Sequence, residues 1–178
     1  MSVWCTMALT VLTLGFTACS DDVEKEIAVD SGIVGEWKVT SANVLYDEQD
    51  PVIFITNLAQ GTGMSEEEIA EVKAIASEEK EGIDEVGGTY TFSADKTQAI
   101  LYPDGDEAYQ GTWSATENVL TLFYGTDSEG ADYEVRNITS KRATLVYVQQ
   151  LTEEDIKGYY NIELEGGLSM ATLLYLER

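Results

Sequence analysis

Residues 88–124 read GTYTFSADKTQAILYPDGDEAYQGTWSATENVLTLFY. In 88–93 apolar and polar side chains alternate, and Tyr90 and Phe92 fall on one face. A two-residue period places one face of a strand against a core and the other toward water. A second strand, 97–102, follows the turn Ala94-Asp95-Lys96. Pro103-Asp104-Gly105-Asp106 is a stronger turn, because proline pre-sets φ and glycine accepts a positive φ. Strands at 108–114 and 119–124 come next, with Thr116-Glu117-Asn118 between them. Four strands joined by such short turns make an antiparallel meander.

The same pattern extends both ways. Residues 36–46 (EWKVTSANVLY) form a long strand on the N-terminal side. Toward the C-terminus, strands are expected at 132–138, 143–149, 159–164 and 168–176, the last two as a terminal hairpin about Gly166-Gly167. Residues 126–130 and Ser140-Lys141 supply the intervening turns. Sequential turns this short leave no room for Greek-key crossovers. Closing the meander also removes the sheet edges that would template aggregation. The expected fold is mainly β, an antiparallel up-and-down barrel of 8–10 strands. Such a barrel can be filled by side chains or can hold one small ligand.

One segment interrupts the strands. Residues 65–81 (SEEEIAEVKAIASEEKE) read as a single inserted α-helix. Ser65 with Glu68 three residues later makes a capping box, and the early glutamates complement the helix N-terminus. Ile69, Val72 and Ala76, with Ile75 at the margin, form a narrow apolar stripe, enough to rest on one surface. The stretch leading into it, 51–63, reads as a short strand at 52–56 followed by loop.

The N-terminus carries different information. Residues 1–18 (MSVWCTMALTVLTLGFTA) have no charged side chain, and their apolar run is too short to span a bilayer, which needs about 20 residues. They fit a secretory signal ending in small residues. Phe16-Thr17-Ala18-Cys19 resembles a bacterial lipobox, with Cys19 as the residue that would be lipidated. Ser20-Asp21-Asp22 is similar to the acidic export signal of Bacteroidetes surface lipoproteins. On this reading 1–18 is a lipoprotein signal peptide, 19–32 an acidic tether and 33–178 the barrel. Cys5 leaves with the signal and Cys19 is consumed by lipid, so no thiol chemistry or disulfide is expected.

Composition narrows the function further. The chain has 178 residues, 33 acidic and 10 basic side chains, a formal net charge of −23 and no histidine. Histidine-dependent triads and histidine-ligated zinc are therefore excluded. The charge disfavours nucleic acid and anionic lipid as electrostatic partners. No cofactor is expected, no nucleic-acid partner, and the expected state is a monomer.

Three motifs carry a family resemblance. Gly35-Glu36-Trp37 matches the G-x-W of lipocalins; then come Gly88-Thr89-Tyr90-Thr91-Phe92, and Gly111-Thr112-Trp113-Ser114 followed by Val119-Leu120-Thr121-Leu122. In this order they resemble the lipocalin-like domains of Bacteroidetes lipoproteins, over about residues 33–148. The resemblance implies a membrane-anchored, non-enzymatic binding barrel in the outer membrane of the cell envelope, exposed at the surface. It implies structural roles for Gly35 and Trp37, with the tryptophan packed across the closed base. The inserted helix occupies the position of the helical lid in intracellular fatty-acid-binding proteins, a similarity of position only.

Candidate site residues follow from the strand aromatics. Trp37 and Trp113 are assigned to the core. Tyr90, Phe92, Tyr109, Tyr133 and Tyr147 are candidates to line a cavity for an apolar or glycan-like ligand, or to fill the core instead. Asp104, Asp106 and Glu107 cluster in one turn, and Asp127 and Glu129 in another. Neither matches a calcium loop, and solvated turn acids are the default reading. Two other functions stay open: an interaction module acting through the outer acidic surface, and a glycan hydrolase built on a carboxylate pair.

Overall fold

The computed structural model describes residues 27–125 and 129–178. The signal peptide, Cys5, Cys19 and Asp127 lie outside the described residues. Eight strands form a closed barrel in which every sequential pair is antiparallel: β1 (Gly35–Tyr46), β2 (Thr89–Phe92), β3 (Thr97–Leu101), β4 (Tyr109–Thr116), β5 (Val119–Tyr124), β6 (Ala131–Arg136), β7 (Arg142–Leu151) and β8 (Leu168–Glu177). Closure is made by β8 pairing back onto β1, from Lys38 opposite Glu177 to Tyr46 opposite Met170, with an irregularity between Val39 and Ser41. Inward residues alternate as expected: Tyr90 and Phe92 on β2, Gln98 and Ile100 on β3, Leu120 and Leu122 on β5.

The barrel base is sealed by a short helix, α1 (Val29–Gly32). Val29 and Ile33 are buried, and the Ile27 amide donates to the Ile138 carbonyl at 3.0 Å. Residues 27–32, expected to belong to the tether, are therefore part of the packed domain. Apolar side chains in this stretch have a barrel end to cover, and their burial outweighs the acidic character of the segment. Trp37 lies across the base, with its indole Nε1 donating to the Ile33 carbonyl at 2.6 Å. The Arg178 guanidinium stacks 4.0 Å above its ring and donates to the Gly32 and Val34 carbonyls, both at 2.6 Å. Gly35 has φ +134°, and a Cβ there would meet the Arg178 guanidinium at 3.3 Å. Both halves of the G-x-W pattern are thus explained by one contact.

Two further sequence expectations are corrected by the structure. Residues 52–56, expected as a strand, lie inside an α-helix, α2 (Pro51–Gly61). The run Val-Ile-Phe-Ile-Thr has high strand propensity. However, Asp50 accepts from the Val52 and Ile53 amides and Pro51 occupies the first turn, a strong helix start. Tertiary contact settles the matter, since Ile55 and Ala59 are fully buried. Two helices are therefore inserted after β1: α2 and α3 (Glu66–Glu81), the latter with the Ser65/Glu68 capping box formed.

The second correction concerns residues 159–164, expected as a strand of a terminal hairpin. They contain the end of α4 (Glu153–Tyr160) and the loop after it. Thr152 and Asp155 form a capping box, and Asn161 ends the helix in the left-handed region at φ 54°. Thus β7 and β8 are joined through a helix.

The helices pack together over the upper ends of β1, β7 and β8. Ile55 and Ala59 from α2, Val72 and Ala76 from α3, and Ile156 and Tyr160 from α4 share an apolar cluster with Val44, Tyr46, Leu151 and Leu168. At its centre Glu79 of α3 accepts hydrogen bonds from the hydroxyls of both Tyr46 and Tyr160, which sit 2.9 Å from each other. Lys80 of the same helix reaches Asp50 at 2.5 Å, tying α3 to the start of α2.

Candidate functional site

A cavity of about 1080 Å³ opens at the upper end, beside the helical cap. Two connections frame its mouth: residues 82–87, between α3 and β2, and the β3–β4 turn. The first is held as an extension of the β1–β2 ladder. The Gly87 amide donates to the Val39 carbonyl at 2.8 Å, and the Val39 amide to Gly88 at 3.0 Å. The second is closed by the Gly105 amide donating to the Tyr102 carbonyl at 3.1 Å. The walls below come from inward residues of β5, β6, β7 and β8: Tyr124, Tyr133, Tyr147, Thr172 and Leu174.

Tyrosine dominates this lining. The Tyr133 and Tyr147 rings pack with centroids 5.4 Å apart, and Tyr102 meets Tyr109 edge-on at 5.5 Å. Tyr133 is only 8% exposed, and its hydroxyl pairs with that of Tyr124 at 3.5 Å, a long hydrogen bond at the cavity wall. Burial pushes the hydroxyls of Tyr90, Tyr102, Tyr124 and Tyr133 above their ordinary range, and the charge of Glu85 adds to the shift in each. All four are neutral phenols at physiological pH, able to donate and accept.

The aromatic residues singled out in the sequence divide three ways. Tyr133 and Tyr147 line the cavity. Tyr109 stands at its rim and is 61% exposed. Phe92 is not a lining residue: it sits in the filled lower barrel, edge-on to Trp113 at 6.0 Å. Tyr90 is buried just above it, with its ring 6.3 Å from that of Phe92. Trp113 is core, its Nε1 donating to the Ser93 carbonyl at 3.1 Å and Lys96 standing 3.7 Å over its ring. The lower interior is thus packed solid, and the open space lies above it. One polar atom breaks that packing: Gln98 is 2% exposed, and its Oε1 has no partner.

Tyr102 and Ile83 were not singled out from the sequence, whereas Tyr124 stood in the set of strand aromatics and Glu85 in the acidic run that ends there, neither of them assigned to a cavity. Tyr102 immediately precedes the strong Pro103 turn, and a ring at the end of an inward-facing strand beside a turn was the available signal. Nothing set Glu85 apart from the run of similar acids before it. Of the turn acids, Asp104 lines the mouth and is exposed. Among the described residues no three acidic or sulfur side chains converge on a point that could hold a metal.

The eight-stranded closed barrel with a plugged base and an open upper end decides the comparison with known proteins. The model of the lipocalin-like domain family matches residues 33–147, from the end of α1 into β7. The chain belongs to the lipocalin-like domain family. No curated protein and no solved structure matched the chain. The lipocalin-like barrel is a fold that binds small ligands, and the cavity occupies its open end. Trp37 is buried at the end opposite the cavity, between Ile33 and Arg178.

Proposed function

We propose that this chain is a non-enzymatic lipoprotein, anchored through Cys19 in the outer membrane of a Bacteroidetes-type envelope, that holds a small molecule in the mouth of its lipocalin-like barrel. The cavity of about 1080 Å³ carries the proposal. Its size matches that of pockets for drug-sized ligands, and its combination of aromatic faces, aliphatic patches and phenol hydroxyls suits a body that is partly apolar. Binding is favoured over catalysis by the residues present. Among the described residues, no histidine or thiol lines the cavity to act as a base or nucleophile. Of the three acids at the mouth, Asp84 and Asp104 face solvent and Glu85 alone is half-buried, whereas glycoside hydrolysis needs a pair with one acid in an apolar setting.

The anchor rests on the lipobox-like Phe16-Thr17-Ala18-Cys19 and the acidic residues after it. Native mass spectrometry of the protein extracted from its own membrane tests both parts. The expected spectrum shows a lipid-modified mass and a co-purifying small molecule lost on collisional activation. A Cys19→Ser variant should release the protein from the membrane fraction. An unmodified mass together with an empty barrel overturns the proposal.

A further inference from the structure

The two ends of the barrel differ in how the rest of the chain joins them. The N-terminal segment enters at the closed base. There the Ile27 amide donates to the Ile138 carbonyl, in the β6–β7 connection, at 3.0 Å, and α1 then plugs the bottom. The cavity opens at the other end, between residues 82–87 and the β3–β4 turn. The point where a tether attaches and the point where a ligand enters therefore lie at opposite ends of the barrel.

That separation can be set against the reach of the chain. Cys19 and Ile27 are eight residues apart. A chain spans at most about 3.6 Å per residue, so a lipid on Cys19 lies within about 29 Å of the base. The long strand β1 has 12 residues. At about 3.3 Å per residue and a tilt of about 35–45°, it rises about 30 Å along the barrel axis, and a layer of helices above it adds about 10 Å. To rest its mouth on the bilayer the domain would have to invert. Ile27 would then stand about 40 Å above the surface, beyond the reach of eight residues.

The charges discriminate in the same sense. At the base, Asp30 pairs with Lys96 and Glu177 with Arg142. Lys141 and Arg178 stand beside them, joined by the Arg178 amide donating to the Lys141 carbonyl at 3.0 Å. At the other end, residues 65–85 carry nine acids against two lysines, and Asp104, Asp106 and Glu107 follow in the β3–β4 turn. A surface bearing lipid phosphates repels that end far more than the base, so tipping the domain onto its mouth is opposed as well. We propose that the closed base is the membrane-facing surface of this domain and that the mouth is turned to the water, whichever leaflet holds the anchor. The ligand is then a molecule delivered through the aqueous phase; a lipid would have to leave the bilayer to reach the cavity. This rests on the Cys19 anchor and the ligand-binding reading above, and adds to them an orientation and a route of entry.

The test adds the lipidated full chain to preformed phospholipid vesicles that carry an acceptor dye on their headgroups. With Cys5 removed and Cys19 acylated, a cysteine introduced elsewhere is the sole thiol. Donor dyes are placed at the base through Ser31→Cys or Ser140→Cys, and at the mouth through Asp106→Cys or Glu107→Cys, all exposed positions. Two sites at each end allow for a variant that fails to fold, which circular dichroism identifies. With the ends about 30 Å apart, energy transfer should be at least about twofold more efficient from the base than from the mouth. A bulky maleimide-polyethylene glycol should modify the Asp106→Cys thiol at the same rate, within about twofold, on vesicles and in the soluble Cys5→Ser/Cys19→Ser background, since access governs the reaction of a given thiol. A smaller or reversed difference in transfer, or a mouth thiol slowed beyond that limit on vesicles, overturns the orientation and leaves the anchor and the cavity standing. A chain that does not float with the vesicles and shows an unmodified Cys19 mass overturns the anchor, and this inference with it.

Discussion

Alkaline titration should unfold this protein cooperatively, because four of its tyrosines cannot ionise inside it. Tyr46, Tyr90, Tyr133 and Tyr160 are 0, 1, 8 and 1% exposed. Burial is the main reason that each hydroxyl titrates well above its usual range. Glu79 raises Tyr46 and Tyr160 further by accepting their protons' hydrogen bonds. In the unfolded chain the same groups titrate near ~10. A folded value above the unfolded one means that the stabilising contribution is complete below about pH 10 and is lost as pH rises beyond it. Each group then costs RT ln(1 + 10^(pH − 10)), which is about 1.4 kcal/mol at pH 11 and about 2.7 at pH 12. For four groups the loss is about 6 kcal/mol at pH 11 and about 11 at pH 12, against a typical domain stability of roughly 5–15 kcal/mol.

The assay is a joint titration by tyrosinate absorbance near 295 nm and far-ultraviolet circular dichroism. Four of the ten tyrosines should ionise only in the step that removes the β signal, between about pH 11 and 12. Tyr133→Phe should flatten the pH dependence of stability by one proton, about 1.4 kcal/mol per pH unit. Smooth ionisation of all ten near pH 10 with the β spectrum intact at pH 12 would refute the burial of these hydroxyls.

Three substitutions probe other contacts. Glu79→Ala removes the acceptor shared by Tyr46 and Tyr160 and leaves one buried hydroxyl proton without a partner. It should cost about 2–4 kcal/mol in urea unfolding and speed hydrogen exchange in α3; a cost under about 0.5 kcal/mol would show that the cap does not depend on this carboxylate. Arg178→Met loses three carbonyl contacts, to Gly32, Val34 and Ser140, and the stacking on Trp37, for a loss of about 2–3 kcal/mol and a fall in Tm of roughly 5–10 °C. Gly111→Ala places a Cβ 2.0 Å from the Phe123 carbonyl oxygen, across a backbone pairing that cannot yield without breaking the β4–β5 ladder. It should destabilise by more than about 2 kcal/mol, and an unchanged urea midpoint would refute that close approach.

The meander was readable from sequence because its strands obey a local rule. Tyr90, Phe92, Leu120 and Leu122 alternate against polar neighbours, and short turns separate them, so no distant information is needed. The two misread segments fail for the opposite reason. In 52–56 the β-branched run speaks for a strand, and only the Asp50-Pro51 start and the burial of Ile55 and Ala59 against other helices speak for α2. In 153–160 the Thr152/Asp155 box was present in the sequence, but Gly158 and the adjacent Tyr159-Tyr160 resemble strand punctuation. The cavity was legible only in part, through Tyr133 and Tyr147. Its remaining wall joins Ile83, Glu85 and Tyr102, which closure of the barrel brings beside β6 and β7.

The position of the mouth follows from unequal strand lengths. β1, β7 and β8 have 12, 10 and 10 residues, whereas β2, β3, β5 and β6 have 4, 5, 6 and 6. At about 3.3 Å per residue, the long wall extends well beyond the short one. The upper residues of that long wall, Val44, Tyr46, Leu151 and Leu168, have no opposing strand to bury them and are covered instead by α2, α3 and α4. The short wall ends lower, at Leu101 and Tyr124, and among the described residues it is roofed by two connections held through backbone hydrogen bonds. Filling the space between would need residues that the short strands do not have. Exchange of any ligand should therefore proceed through residues 82–87 and 102–105, while the helical cap, anchored by the Glu79 knot and the apolar cluster around it, stays in place.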